Sequence, residues 1–188
     1  PDAMMAFRAF LDSLPKEKAD KCRFVIKSEK ITDAGTNLHK VCDYILGEDY
    51  ENSYIILDRK FTETQLNYLY NIADVQILLT SNEGWGLTIT EAILAGTPII
   101  ANTTGGMQDQ MRFTDDKGKW FEPDADVPSN HRGTYKNHGE WAFPVYPTSR
   151  SIQGSPPTPY IYDDRCNFED ATKRIIECYE LGRENLKQ

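Results

Sequence analysis

The 188-residue chain is short of several things, and each shortage narrows the field. No apolar run approaches the ~18 residues that a membrane-spanning helix needs, and the N-terminus carries no signal-peptide pattern. Basic residues are outnumbered, with 21 Lys and Arg against 29 Asp and Glu, giving a net charge of −8 and an isoelectric point near 4.9. Such a surface repels phosphate backbones, so nucleic acid is not an expected partner, although local groups can still hold a small anion. The four cysteines, Cys22, Cys42, Cys166 and Cys178, show no CxxC spacing, which argues for reduced thiols rather than a disulfide framework or a zinc site. There is no internal repeat and no low-complexity tract. The chain reads as cytoplasmic. At 39% the apolar share is also low, which fits one compact domain with a polar, loop-rich excess. Disorder throughout is excluded by 21 aromatic residues and by runs of Ile, Leu and Val.

What is present is an alternation. Ala6, Phe7, Phe10, Leu11 and Leu14 recur at helical spacing until Pro15. Residues 23–26 (RFVI) form a short apolar run suited to a buried strand. Leu38, Val41, Cys42, Ile45 and Leu46 make a second helical stripe that ends at Gly47. A strand follows over 53–57 (SYIIL), then a helix opened by the capping pair Thr62 and Gln65, with Leu66, Leu69, Tyr70 and Ala73 facing inward. Residues 75–79 predict a third strand, 87–95 a helix after a glycine turn, and 98–101 a fourth strand. Strands that are apolar on both faces and alternate with helices predict a doubly wound, Rossmann-like α/β fold with a parallel sheet. Ligands in such folds sit at the carboxyl ends of the strands.

The regularity fails over 112–165, where most of the ten prolines fall. Trp120, Phe121, Tyr135, Trp141, Phe143, Tyr146, Tyr160 and Tyr162 make this stretch too aromatic for a linker, so it reads as an ordered, irregular excursion with room for a hairpin. A closing helix is expected from Phe168 to Leu186. The whole reads as a single domain, with a core over 1–111, the excursion over 112–165 and the closing helix within 166–188.

The chemistry concentrates in the stretch from Ser81 to Ala92 (SNEGWGLTITEA). Gly84 and Gly86 let the backbone turn sharply and approach a ligand. The amides around Gly86, Leu87 and Thr88 are the unpaired donors of the following helix, aimed at an anion with the helix dipole behind them. Glu83 on the loop and Glu91 about a turn into the helix can each accept paired hydrogen bonds from vicinal hydroxyls. On spacing alone, the stretch fits either a structural turn or a sugar-phosphate site.

The run EGWGLTITEAILAGTPIIANTTGG closely resembles the E-x7-E signature of the retaining GT-B glycosyltransferases, especially glycosyltransferase family 4. The agreement lies at Glu83, Gly84, Trp85, Gly86, Leu87, Glu91, Ala92, Gly96, Pro98, Ala101, Gly105 and Gly106. Leu66, Tyr70 and the Ala73-Asp74-Val75 run resemble a further element of that family. The resemblance implies the C-terminal, donor-binding domain of a transferase that uses a nucleotide-diphosphate sugar, GDP- or UDP-linked, and requires no other cofactor and no metal. By analogy Glu83 holds the donor sugar beside the backbone of Gly84, Trp85 and Gly86, and serves as the catalytic residue. The amides of Leu87 and Thr88 take the diphosphate, and Glu91 the ribose. Arg59, Lys60 and Phe61 fall where the family reads the base. Lys27 stands at a strand end as either a phosphate contact or a solvated charge.

The same resemblance implies an N-terminal domain, here absent, that carries the acceptor site, and a glycan, lipid or protein acceptor. It also implies an Arg/Lys strand for the diphosphate just upstream of Pro1. The 188 residues are therefore expected to be a C-terminal domain that is inactive alone, with a peripheral position at a membrane open to the full protein. A non-catalytic nucleotide-sugar-binding or interaction module is the alternative, and a sugar-nucleotide epimerase a weaker one. His39 reads as a packing or surface residue, while His131 and His138 lie where an acceptor contact is open to them.

Overall fold

A computed structural model describes residues 1–31, 37–123 and 129–186. The chain opens with α1 (Asp2–Asp12) and α2 (Lys16–Ala19), followed by β1 (Phe24–Lys27), α3 (Leu38–Leu46), β2 (Tyr54–Leu57) and α4 (Glu63–Ile72). Then come β3 (Gln76–Leu78), α5 (Leu87–Leu94), β4 (Ile99–Asn102), α6 (Met107–Met111), β5 (Ala142–Val145), β6 (Pro147–Ser155) and β7 (Thr158–Cys166). The chain closes with α7 (Phe168–Leu181) and α8 (Arg183–Leu186).

Local signals set the element ends. Asn37 caps α3 by accepting from the Lys40 amide, and Gly47 closes it at φ 63°. Thr62 and Gln65 make the expected reciprocal cap, at 3.3 and 3.0 Å. Asn167 caps α7 through the Glu169 amide at 2.7 Å, and Glu169 and Asp170 complement the helix dipole there.

The fold is α/β, and its core strands are parallel. β1 pairs with β2, and β3, β4 and β5 pair in that order, all in parallel; among the described residues no ladder joins the two groups. β4 has all four residues buried and divides its side chains between two cores. Ile100 joins Phe143 and Val145 of β5 in a core against α1 and α7, where Phe7, Phe10, Leu11, Ala171 and Ile175 are buried. Ile99 and Ala101 join Ile89, Met107, Met111, Phe113 and Phe121 on the other face. Each fully buried large side chain contributes about 1.5–3 kcal/mol, so this two-sided strand anchors the domain.

Three expectations need correcting. Residues 112–165 are not irregular throughout, because β5 is a core strand in register with β4 and β6–β7 is an antiparallel hairpin. Helices do not cover both faces of β1 and β2: Val25 is 41% and Ile55 44% exposed. The apolar positions of α4 are only half-buried, and none of its residues is fully buried.

Candidate functional site

Two glycine turns are packed backbone to backbone at the carboxyl ends of β3 and β4. Gly106 donates its amide to the Glu83 carbonyl at 3.3 Å, and Gly105 donates to Ser129 at 2.8 Å. A Cβ at Gly105 would overlap the Glu83 carbonyl, and one at Gly106 would overlap the Gly84 carbonyl. Gly105 also stands at φ 50°. Only glycine allows this approach, so the distant Gly-Gly pair fixes the path of the Glu83 loop.

Buried amides complete the lock. The Gln110 side chain donates to the carbonyls of Trp85 and Gly86 and accepts from the Thr90 hydroxyl at 2.8 Å. Thr90 in turn accepts from the Trp85 indole at 2.9 Å. Gln108 donates to the carbonyls of Gly105 (3.1 Å) and Ser129 (3.0 Å) and accepts from the His131 amide at 3.0 Å. On the other side the β6–β7 hairpin holds Ser81 and Asn82. Asp164 donates its amide to Ser81 at 2.7 Å, and the Ser81 hydroxyl donates to Asp163. Asn82 donates to the Tyr162 carbonyl at 2.9 Å. The Asp164 carboxylate is fully buried and accepts from Thr104 (2.8 Å) and Ser129 (3.3 Å). The Ser81 hydroxyl first, and the Arg165 guanidinium with it, holds the Asp163 carboxyl below the usual range.

The resulting helix start is open. Gly86 stands at φ 84° before α5, no side chain caps the helix, and the first internal bonds run from Ile89 (2.9 Å) and Thr90 (3.3 Å) to the Gly86 carbonyl. Leu87 and Thr88 thus carry the helix amides that have no intrahelical acceptor, at an exposed position. The Glu83 side chain lies beside Gly86, where a Cβ would sit 3.4 Å from its Cγ, and among the described residues its carboxylate has no partner. Glu91 accepts from the Tyr70 hydroxyl at 2.7 Å through one oxygen. Burial, reinforced by Glu91, pushes the Tyr70 phenol upward, so it stays a donor.

Lys27, Arg59 and Phe61 also come together. The Lys27 ammonium lies 5.6 Å and the Arg59 guanidinium 5.1 Å from the Phe61 ring centroid. Lys60 is exposed outside this stack, and Lys30 pairs with Asp58 at 3.6 Å. No hydrogen bond, ion pair or ring contact among the described residues joins this stack to the Glu83 loop.

The histidines separate. His39 is exposed on α3, 3.2 Å from the Tyr54 hydroxyl. His131 is 2% exposed, so the acceptor contact left open for it does not stand. It lies edge-on to Phe113, Phe121, Tyr135 and Tyr146, and burial pulls its imidazole down to about 4. His138 is exposed and packs its edge on Phe113.

Sequence reasoning assigned no role to Gln108, Gln110 or Asp164. A faint signal existed in two glutamines two apart just after the Gly-Gly pair, and in the Asp163-Asp164 pair inside an aromatic run. Among the described residues no group of three or more His, Cys, Asp or Glu is arranged to hold a metal, and no helix is long and apolar enough to cross a membrane.

The chain is thus of the class of parallel α/β domains in which a glycine loop leads into an uncapped helix start, a geometry electrostatically favourable to anions. Comparison with known proteins narrows that class. The sequence model of the family described as glycosyl transferases, group 1, matches residues 7–129, well over half of the chain. The chain belongs to that family of glycosyltransferases. It is 23% identical over 121 residues to an uncharacterized glycosyltransferase of Methanocaldococcus jannaschii, covering 64% of this chain and 29% of that protein. It is 32% identical over 66 residues to a trehalose synthase of Pyrococcus horikoshii, covering 35% of this chain and 16% of that protein. The matches thus span less than a third of the length of either relative.

Proposed function

We propose that this chain is the donor-binding half of a retaining glycosyltransferase, moving a hexosyl group from a GDP- or UDP-sugar to a glycan, lipid or protein acceptor. The observation that carries the proposal is the locked loop, which combines an unpartnered carboxylate at Glu83 with an uncapped helix start at Leu87 and Thr88. In this reading Glu83 accepts from the donor sugar's hydroxyls beside Gly84, Trp85 and Gly86. The Leu87 and Thr88 amides take the diphosphate, and Glu91, steadied by Tyr70, accepts from the ribose. Phe61, with Arg59, Lys60 and Lys27 near it, borders the base.

In the reaction, the bond from the anomeric carbon to the diphosphate oxygen breaks while the acceptor oxygen forms its bond on the same face. The acceptor's proton passes to the departing diphosphate. The protein's share is electrostatic, since amides and the α5 dipole stabilise charge growing on that leaving group. Such binding needs few basic side chains and is compatible with a net charge of −8. The acceptor site falls to an N-terminal domain of the same protein, working in the cytoplasm, and the 188 residues alone bind donor weakly and transfer nothing. Turnover of a nucleotide sugar by these residues alone would contradict that division.

Calorimetry with GDP-, UDP- and ADP-sugars on the native chain and on Glu83→Ala and Glu91→Ala tests the reading. Each substitution should weaken binding by at least about 1 kcal/mol, since hydrogen bonds to charged groups contribute about 1.5–3 kcal/mol. Unchanged affinity in both variants would remove the assigned roles.

A further inference from the structure

Two of the three tryptophans line one groove, and the third stacks on an arginine of its lining. Trp85 and Trp141 line a cavity of about 330 Å³ together with Leu94, Asp109 and Arg112. Trp120 stacks on Arg112, with the guanidinium carbon 4.5 Å from the ring centroid. The volume lies at the small end of the ~300–1,000 Å³ usual for ligand sites.

Core packing does not account for this arrangement. Trp85 is 46% and Trp120 55% exposed, although burying an aromatic side chain is among the largest gains available to a fold. Two of the rings are held by their edges. The Trp85 indole N–H donates to Thr90 at 2.9 Å, and that of Trp141 to the Gln110 carbonyl at 3.2 Å. Trp141 also lies against Gly139, where a Cβ would stand 2.5 Å from the ring carbons. Arg112 closes α6 in the left-handed region at φ 56°, a conformation that costs a non-glycine residue about 1–2 kcal/mol.

The charges at the groove are unspent. Among the described residues neither the Asp109 carboxylate nor the Arg112 guanidinium has a hydrogen-bonded or ionic side-chain partner, and they do not pair with each other. An apolar ligand would leave both unsatisfied. An anion would meet Asp109, and a cation would meet Arg112. A neutral ring with C–H faces and vicinal hydroxyls fits both kinds of wall: the faces stack on indole, and the hydroxyls accept from guanidinium and donate to carboxylate.

We infer that this groove binds a neutral hexopyranose segment of a glycan, at a site separate from the donor loop. The two sites meet at one residue. The backbone of Trp85 belongs to the loop between Glu83 and Leu87, and its ring lines the groove. A glycan seated there rests on the residue two positions from the sugar-holding carboxylate.

The three indole N–H groups give the test its readout. The ¹⁵N-labelled chain is titrated with maltotriose, cellotriose and mannotriose, each indole resonance being assigned by single substitution. At least one trisaccharide should shift the Trp85, Trp120 and Trp141 resonances together and saturably. Trp120→Ala and Asp109→Asn, both at exposed positions, should each weaken that binding about tenfold or more while the remaining amide spectrum stays folded. Glu83→Ala should leave trisaccharide binding unchanged, and nucleotide-sugar binding should survive Trp120→Ala, so failure of this inference and failure of the donor assignment show up separately. Indole resonances unmoved by all three sugars would overturn the inference, as would native affinity retained in both groove variants.

Discussion

The loop over 80–86 and the loop over 58–61 each follow the carboxyl end of a parallel strand, yet they are held in opposite ways. The first is fixed by backbone: Gly105 and Gly106 press against Glu83 and Gly84, buried glutamines hold its carbonyls, and the β6–β7 hairpin grips its base. Among the described residues the second is held by side chains, with Lys27 and Arg59 stacked on Phe61 and Lys30 paired with Asp58. The difference matches the proposed chemistry. Under the proposed function, the end that would meet the diphosphate and sugar is built in advance, and preorganised dipoles stabilise charge without reorganising. The end that would meet the base rests on side-chain stacking and is open to adjustment.

The sharpest way to break this contrast is Gly105→Ala. The new methyl would collide with the Glu83 carbonyl from a left-handed backbone position, so a loss of at least about 3 kcal/mol is expected in urea unfolding. A loss under about 1 kcal/mol would mean that the loop is not locked as described.

Acid should loosen the same region. The His131 imidazole falls from its ordinary value near 6.5 to about 4, chiefly through burial and secondarily through Lys136. The unfolded chain therefore takes up a proton that the folded chain resists. Stability is complete above about pH 6.5 and declines as the pH falls toward 4, by about 3 kcal/mol in all at 1.36 kcal/mol per pH unit. His131→Gln should flatten that part of the stability profile, and an unchanged slope would disconnect His131 from it.

Asp164→Ala removes the carboxylate that holds the Thr104 and Ser129 hydroxyls and should cost about 2 kcal/mol in thermal or urea unfolding. Phe61→Ala is the counterpart in the adaptable loop. It should cost about 1–2 kcal/mol of stability, since two cation–π contacts of about 0.5–1 kcal/mol each are lost. Its effect should appear in the ranking of GDP-, UDP- and ADP-sugars instead, and a destabilisation equal to that of Gly105→Ala would erase the distinction between the loops.

The sequence displays one of these loops far better than the other elements that support it. The apolar runs of β1 to β4 and the Thr62 cap were readable because their signals are local, and the strands lie within a residue or two of expectation. β5 was hidden by Pro144 in the middle of AFPV. Proline gives no amide to a ladder, but among the described residues β5 pairs on one side, with β4, and an edge strand tolerates it. The hairpin for which 112–165 left room could not be placed, because the turn of β6–β7 carries Pro156 and Pro157 in a proline-rich run. At the site, Glu83, Glu91 and the glycines stood out through the resemblance to the family signature, since spacing alone left a structural turn open. Gln108, Gln110 and Asp164 did not, because their respective partners Ser129, Thr90 and Thr104 lie 20 to 60 residues away and are met only once the chain is folded.

The central claim is that the locked loop aims the first amides of α5 at a diphosphate. Amide chemical shifts and hydrogen exchange of the ¹⁵N-labelled chain, recorded while GDP and UDP are added, test it most directly. The account predicts that Gly86, Leu87 and Thr88 show the largest shifts and gain exchange protection with one of the nucleotides, and that Glu91→Ala weakens the response. Saturable binding that leaves those three amides unmoved, with shifts confined to the Phe61 stack or the tryptophan groove, would contradict it.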